Sequence, residues 1–249
     1  RASYAQSRDE SHDVDHDVDI EHVIGIGVGN SGLSALKSLF IALDIERDSG
    51  LTFIVVQHTT QESTPPLTDI IASFTDLKVA TVEPGAPLAP GHVYVAPQGV
   101  AVELVAGRWL LDVPPSAKQH DESVVDRLFR SLAHGVGSRA IGIVLPGAGS
   151  DGSLGVQAIA RIGGMTFAAE PASDPHSASD TMLRNAIATG SIKQVLSPFE
   201  IAQALGDPEA FEKASPRVLH TPAPVVLAPA PASTEPESAP AQPKTPTAQ

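Results

Sequence analysis

The chain has 249 residues, a hydrophobic content of 42% and a formal charge of −13, with no cysteine. No cluster of Lys or Arg offsets that negative balance, which argues against a nucleic-acid or anionic-membrane surface. The lack of thiols excludes disulfides and thiolate metal sites, and fits a reducing, cytoplasmic setting.

No apolar run approaches the roughly 18 residues of a membrane span, and nothing at the start reads as a secretory signal. Residues 1–22, RASYAQSRDESHDVDHDVDIEH, are polar and acidic and are expected to form a disordered tail. The DVDHDVD run within it reads as a solvated acidic face more readily than as a weak divalent-cation site. Residues 23–207 carry the domain. Beyond it, residues 208–249 become rich in Pro and Ala, which sustains neither helix nor sheet and reads as a tail or linker.

Within the domain, strand and helix patterns alternate. VIGIG is a short buried strand, SGLSALKSLFIALD has helical spacing, and LTFIVVQ is a β-branched strand. LTDIIASF reads as helix and LKVATV as strand. HVYVAP and AVELVAGRWLLDV alternate instead, with Ala106-Gly107 as a turn, and suggest a β-hairpin insertion. VVDRLFRSLAHGVG is an amphipathic helix ending near Gly135 or Gly137. AIGIVLPG, SLGVQAIARIGG, MTFAAE and SDTMLRNAIATG then alternate strand and helix. SIKQVL and SPFEIAQAL close the series, with Ser197 and Glu200 spaced as a capping box and Pro198 at the first helical position. This order predicts an α/β fold, a doubly wound and mainly parallel sheet with a small hairpin insertion.

In such folds chemistry gathers beyond the carboxyl ends of the strands. Three polar loops lie there: GVGNSG after the first strand, His58 after the second, and PGAGSDG, with Asp151, after AIGIVL. Gly27-Val28-Gly29-Asn30-Ser31-Gly32 spells the dinucleotide fingerprint G-x-G-x-x-G. Its partner is missing, because the second strand ends in Gln57-His58 and not in an acidic residue. A His at one strand end and an Asp at another instead suit the base and orienting carboxylate of a nucleophilic triad. Taken singly, each has an ordinary structural explanation: His58 as a strand-end residue, Asp151 as a turn or cap.

These residues, with VIGIGVGNSGLSAL, FIVVQHTT, PGHVYVAPQG, VVDRLFRSLA, AIGIVLPGAGSDGSLGVQAIARIGG, TMLRNAIATG and SPFEIAQAL, make the chain recognisable. It resembles the catalytic domain of the chemotaxis protein-glutamate methylesterases, the CheB type, from about His22 to Leu205. It looks most like the version fused to a methyltransferase in hybrid proteins. The resemblance implies hydrolysis of glutamate methyl esters on chemoreceptor helices and deamidation of particular glutamines, without cofactor or metal. It makes His58 the general base and Asp151 its orienting residue, and it places the nucleophile of the I-G-A-S pattern at Gly29. Gly27, Asn30 and Gly32 occupy the surrounding loop, where amides could hold an oxyanion. The L-T-G-M-G-x-D-G pattern stands here as Leu145-Pro146-Gly147-Ala148-Gly149-Ser150-Asp151-Gly152, with departures at Pro146 and Ala148.

Glycine has no hydroxyl, so three readings follow. The domain is a degenerate esterase that binds without turnover, or Ser31 serves as a surrogate nucleophile, or His58 and Asp151 activate water directly. Ser31 has a competing explanation as a first-turn residue satisfying backbone amides. Asp126, of the VDRLF helix, reads as structural, and Met182 as a core or rim residue; His120 and Asp121 lie in a cap-like stretch before that helix. The expected partner is a methylated chemoreceptor helix or a similar signalling protein, with a methyltransferase or response regulator as a further candidate. Family members usually carry a receiver domain ahead of this one or a methyltransferase after it, and the first 22 residues are too short for a receiver.

Overall fold

The alternation Gly25-Ile26-Gly27-Val28-Gly29 explains how the domain is layered. It belongs to strand β1 (His22–Gly29), and successive side chains of a strand face opposite sides of the sheet. Ile24, Ile26 and Val28 are wholly buried on one face. On the other face the glycines leave the backbone bare, and helix α3 (Val124–Val136) seats directly on it. A Cβ at Gly25 would come within 2.9 Å of Leu132 and Phe129, and one at Gly27 would run into Val125. Phe129 also faces Gly142 and Gly155, so one aromatic ring fills a socket made of three glycines. Such glycines are packing devices, and Gly27 is one of the three glycines of the apparent fingerprint.

The computed structural model describes residues 20–43, 50–59, 65–112, 123–172, 174 and 177–207. Most of the acidic N-terminal segment, the Pro/Ala-rich C-terminal segment, His120 and Asp121 therefore lie outside the described residues. The elements after β1 are α1 (Leu33–Ala42), β2 (Leu51–His58), α2 (Leu67–Ala72), β3 (Lys78–Thr81), β4 (His92–Val95), β5 (Ala101–Val105) and β6 (Arg108–Asp112). After α3 come β7 (Ala140–Val144), α4 (Ser153–Arg161), β8 (Met165–Ala169), α5 (Thr181–Ala188), β9 (Gln194–Leu196) and α6 (Pro198–Gly206).

Seven strands form one sheet in the order β3-β4-β2-β1-β7-β8-β9, and each paired neighbour runs parallel. The α/β expectation therefore holds. β5 and β6 pair antiparallel as a separate hairpin, turning through Ala106 (φ 48°) and Gly107 (φ 74°). One assignment needs correcting. HVYV does not belong with the hairpin; it is β4, inserted between β3 and β2 in the main sheet. Its alternating look arises from Tyr94, a buried residue whose hydroxyl accepts a bond from the Ala89 N–H at 3.1 Å.

The strand order reverses direction between β1 and β7, since β2 lies on one side of β1 and β7 and β8 on the other. This switch point, at the carboxyl ends, is where an open α/β sheet offers its crevice.

Candidate active site

β2 carries His58 at its last position, in register with Gly29 at the end of β1. Both sit on the face covered by α3. Asp151 arrives from the loop between β7 and α4, and its Oδ2 lies 3.1 Å from His58 Nδ1. The carboxylate side chain is 1% exposed and the imidazole 27%.

Asp151 is held by more than the histidine. Its Oδ2 accepts from the Val125 N–H at 2.9 Å, and its Oδ1 from Asp126 N–H at 2.9 Å and Gly152 N–H at 2.8 Å. Two of these donors are first-turn amides of α3, which otherwise lack partners. Asp151 thus caps a helix that is not its own. Asp126 returns the favour, accepting from the Gly155 N–H in the first turn of α4 at 2.6 Å. The structural reading of Asp126 is therefore met. Burial holds its carboxyl above the usual carboxylate range, and the Asp151 charge adds to this, while the Gly155 N–H and Arg130 oppose it.

The remaining predicted loop residues come close together, but not as a serine triad. Gly29 has ordinary extended backbone, φ −93° and ψ −179°, so no left-handed geometry demands glycine there. Space demands it. An added Cβ would stand well inside 3.0 Å of Gly147 Cα and 3.2 Å from the Pro146 carbonyl oxygen. The Gly29 N–H donates to that carbonyl at 2.9 Å. The loop after β7 therefore packs backbone against backbone on the end of β1, at the switch point.

Helix α5 clamps this loop from behind. The Met182 N–H donates to the Gly147 carbonyl at 2.9 Å, the Gly149 N–H to Thr181 Oγ1 at 2.8 Å, and Asn185 Nδ2 to the Gly149 carbonyl at 2.8 Å. Met182 is wholly buried, with its methyl against Gly147. Sequence reasoning missed Thr181 and Asn185, and only their spacing of four on one helix face would have hinted at a shared target. The clamp leaves Gly149 beside the imidazole, with His58 Nε2 3.7 Å from where a Gly149 Cβ would stand.

Ser31 lies in the turn before α1, and its hydroxyl donates to the Ser179 carbonyl at 3.0 Å. Asn30 Oδ1 accepts from Gln57 Nε2 at 3.1 Å. Gly32 abuts the Pro146 carbonyl, and a Cβ there would run into it. Among the described residues no group of three metal-ligating side chains is arranged to hold an ion. Chemically, the site offers an imidazole oriented by a buried, triply amide-bonded carboxylate, beside a strand end without a nucleophilic side chain.

Comparison with known proteins shows the family of the chain. The family described as CheB methylesterase matches residues 24–205. The chain belongs to that family. A protein-glutamate methylesterase/protein-glutamine glutaminase 1 of Myxococcus xanthus is 33% identical over 186 residues, covering 74% of this chain and 52% of the relative. A protein of the same description, numbered 2, from Shewanella denitrificans is 30% identical over 189 residues, with the same coverage. The chain thus spans about half the length of the curated relatives it matches. Among solved structures, the CheB methylesterase catalytic domain of Thermotoga maritima superposes with a TM-score of 0.65 at 24% identity. That likeness covers 74% of this chain and 96% of that one, and it shows a shared fold.

Proposed function

We propose that this CheB-family domain recognises glutamate methyl esters, or glutamines, on chemoreceptor helices and holds them without forming an acyl-enzyme. One observation carries the reading: the position that the family pattern gives to the serine nucleophile is Gly29, and the backbone of Gly147 occupies the space its side chain would need. Covalent catalysis needs a hydroxyl within reach of the base. At residue 29 there is neither hydroxyl nor room for one.

His58 and Asp151 are read as the retained base and orienting carboxylate. Without a nucleophile such a pair can polarise water, which sets a ceiling of weak, direct hydrolysis. Ser31 is the less favoured nucleophile because its hydroxyl is already spent on the Ser179 carbonyl. A dinucleotide role is less favoured too, since Val125 and the Pro146 carbonyl crowd two of the fingerprint glycines. No helix among the described residues is long and apolar enough to cross a membrane, and the proposed encounter is with the cytoplasmic, methylated part of a receptor. A methyltransferase or response regulator is the natural further partner.

The test is binding. Titration calorimetry with a receptor-derived helical peptide bearing one glutamate methyl ester should show saturable, one-to-one association. His58→Ala should weaken it. Absence of binding to every esterified or amidated receptor peptide would remove this function.

A further inference from the structure

Charge is unevenly distributed over this acidic chain. Between Ser123 and Gly164, the stretch that supplies α3, β7 and α4, the only carboxylates are Asp126 and Asp151, and both are buried. The same stretch carries Arg127, Arg130, Arg139 and Arg161, so the charge it shows to solvent is positive. The two helices lie side by side, with Phe129 of α3 against Gly155 of α4. Their carboxyl-terminal ends meet as well: a Cβ at Gly163 would stand 3.9 Å from Ser138 Cβ, in the turn that follows α3.

Arg127 is already satisfied, at 2.6 Å from Glu103 and 2.7 Å from Asp112. The other three differ. Arg130 reaches only the buried Asp126, at 4.0 Å, while Arg139 donates to the Ile20 carbonyl at 2.8 Å and Arg161 to Gln157 Oε1 at 3.4 Å. Among the described residues, none of the three is ion-paired with an exposed carboxylate.

Ile20 is the first described residue, and its bond to Arg139 fixes the point from which residues 1–19 depart. The last seven of those residues read Asp13-Val14-Asp15-His16-Asp17-Val18-Asp19. Drawn out as a strand, such a run turns all four carboxylates to one side, about 7 Å apart, and covers roughly 20 Å. From Arg139 back to Arg130 is about 14 Å at the helical rise. Reach and spacing therefore match.

We propose that the run Asp13–Asp19 docks in cis on this face, its carboxylates seated on Arg139, Arg161 and Arg130. The acidic segment is then an arm laid along α3 and α4, and it covers these arginines against acidic partners in solution. Each exposed ion pair is weak alone, but the tether at Ile20 holds the two surfaces at a roughly millimolar effective concentration. The arm does not depend on the receptor-binding reading.

The experiment uses the full chain, whose lack of cysteine allows a single nitroxide to be attached at Val14→Cys. Amide spectra of the isotope-labelled protein are compared with the nitroxide oxidised and reduced. One set is taken in about 10 mM salt, where screening extends roughly 30 Å, and one in about 1 M, where it extends roughly 3 Å. At low salt, amides around Arg130, His134 and Arg161 should lose more than half of their intensity, and high salt should restore them. Arg130→Glu with Arg161→Glu should restore them at low salt too, and adding Asp15→Lys and Asp17→Lys should bring the loss back. Both arginines are exposed, and unchanged sheet amides verify that the variants fold. Loss confined to residues beside Ile20, indifferent to salt and to the substitutions, would overturn the docking. Loss on α3 and α4 that the arginine substitutions leave in place would move the contact elsewhere and also overturn it. Loss seen when nitroxide-bearing chains are mixed with separate isotope-labelled chains would put the arm on a second copy and overturn the cis contact.

Discussion

On the proposed reading of residue 29 as the nucleophile position, introducing a serine there is the obvious way to make the site catalytic, and the structure predicts that it fails. Gly29→Ala and Gly29→Ser both add a Cβ that meets backbone, namely Gly147 Cα and, at 3.2 Å, the Pro146 carbonyl oxygen. Backbone cannot rotate aside as a side-chain tip does, so the loop must move. Overpacking of this kind costs about 1–3 kcal/mol. Moving the loop also sacrifices the 2.9 Å bond from the Gly29 N–H to Pro146, about 0.5–1.5 kcal/mol more. The sum is roughly 1.5–4.5 kcal/mol, or a fall in Tm of roughly 3–18 °C for a domain of this size. Urea unfolding and thermal melts of both variants measure it; the extended backbone at residue 29 adds no strain, and the stiffer unfolded chain offsets only about 0.4–1 kcal/mol of the loss. The Ala and Ser variants should lose equal stability, because the Cβ and not the hydroxyl is the cause. A Gly29→Ala protein within about 0.5 kcal/mol of the parent would refute the closed loop. Combining Gly29→Ser with Pro146→Thr and Ala148→Met, the family's loop residues, should recover part of the loss.

Three other perturbations test the surrounding architecture. Asp151→Asn presents an amide to three backbone donors, and it should cost roughly 2–4 kcal/mol in urea unfolding. A loss confined to His58 chemistry, with stability unchanged, would contradict the cross-capping of α3. Asp126 has a raised carboxyl pKa, so its contribution to stability is full below the unfolded value near 3.8 and is lost as pH rises through the folded value. Asp126→Asn keeps an acceptor for the Gly155 N–H and should flatten that loss, whereas Asp126→Ala should destabilise at every pH. His22, at the start of β1, has its pKa lowered chiefly by burial, with Arg139 adding to this and Glu21 opposing it. Stability should therefore fall as pH drops below about 6.5 towards the folded value, and His22→Gln should remove that slope in denaturation measured between pH 7.5 and 5.5.

Local signals in the sequence translated directly into structure. The Ser197–Glu200 capping box forms in full, and the turn at Ala106-Gly107 is where the hairpin reverses. The β-branched run of β2 and the helical spacing of α3 also stand as read. HVYV misled because a tyrosine that hides its hydroxyl in a local bond looks, by letter, like a half-exposed residue. The fingerprint, already set aside for want of its acidic partner, has a packing origin: Gly27 makes room for the helix seated above, Gly29 and Gly32 for the Pro146-Gly147 backbone, and sequence shows only their spacing. His58 and Asp151 were legible because strand ends in a parallel sheet converge on one edge. The closure over Gly29 was not, since it depends on the loop after β7 and on α5, which are remote in sequence. Nor was the exchange of caps between Asp126 and Asp151. An Asp before a helix is expected to cap that helix, and here each carboxylate serves the other's.

The central claim is that the family's serine route is closed in this chain. Methanol release from an esterified chemoreceptor preparation, followed from the first turnover, tests it most directly, with the unaltered protein beside Gly29→Ser, Ser31→Ala and His58→Ala. The expected result is no burst from the unaltered protein, only slow release that His58→Ala abolishes and Ser31→Ala leaves untouched, and no gain from Gly29→Ser alone. A burst of one methanol per chain would mean that a covalent intermediate forms, and its loss in Ser31→Ala would move the nucleophile to that serine and contradict the account.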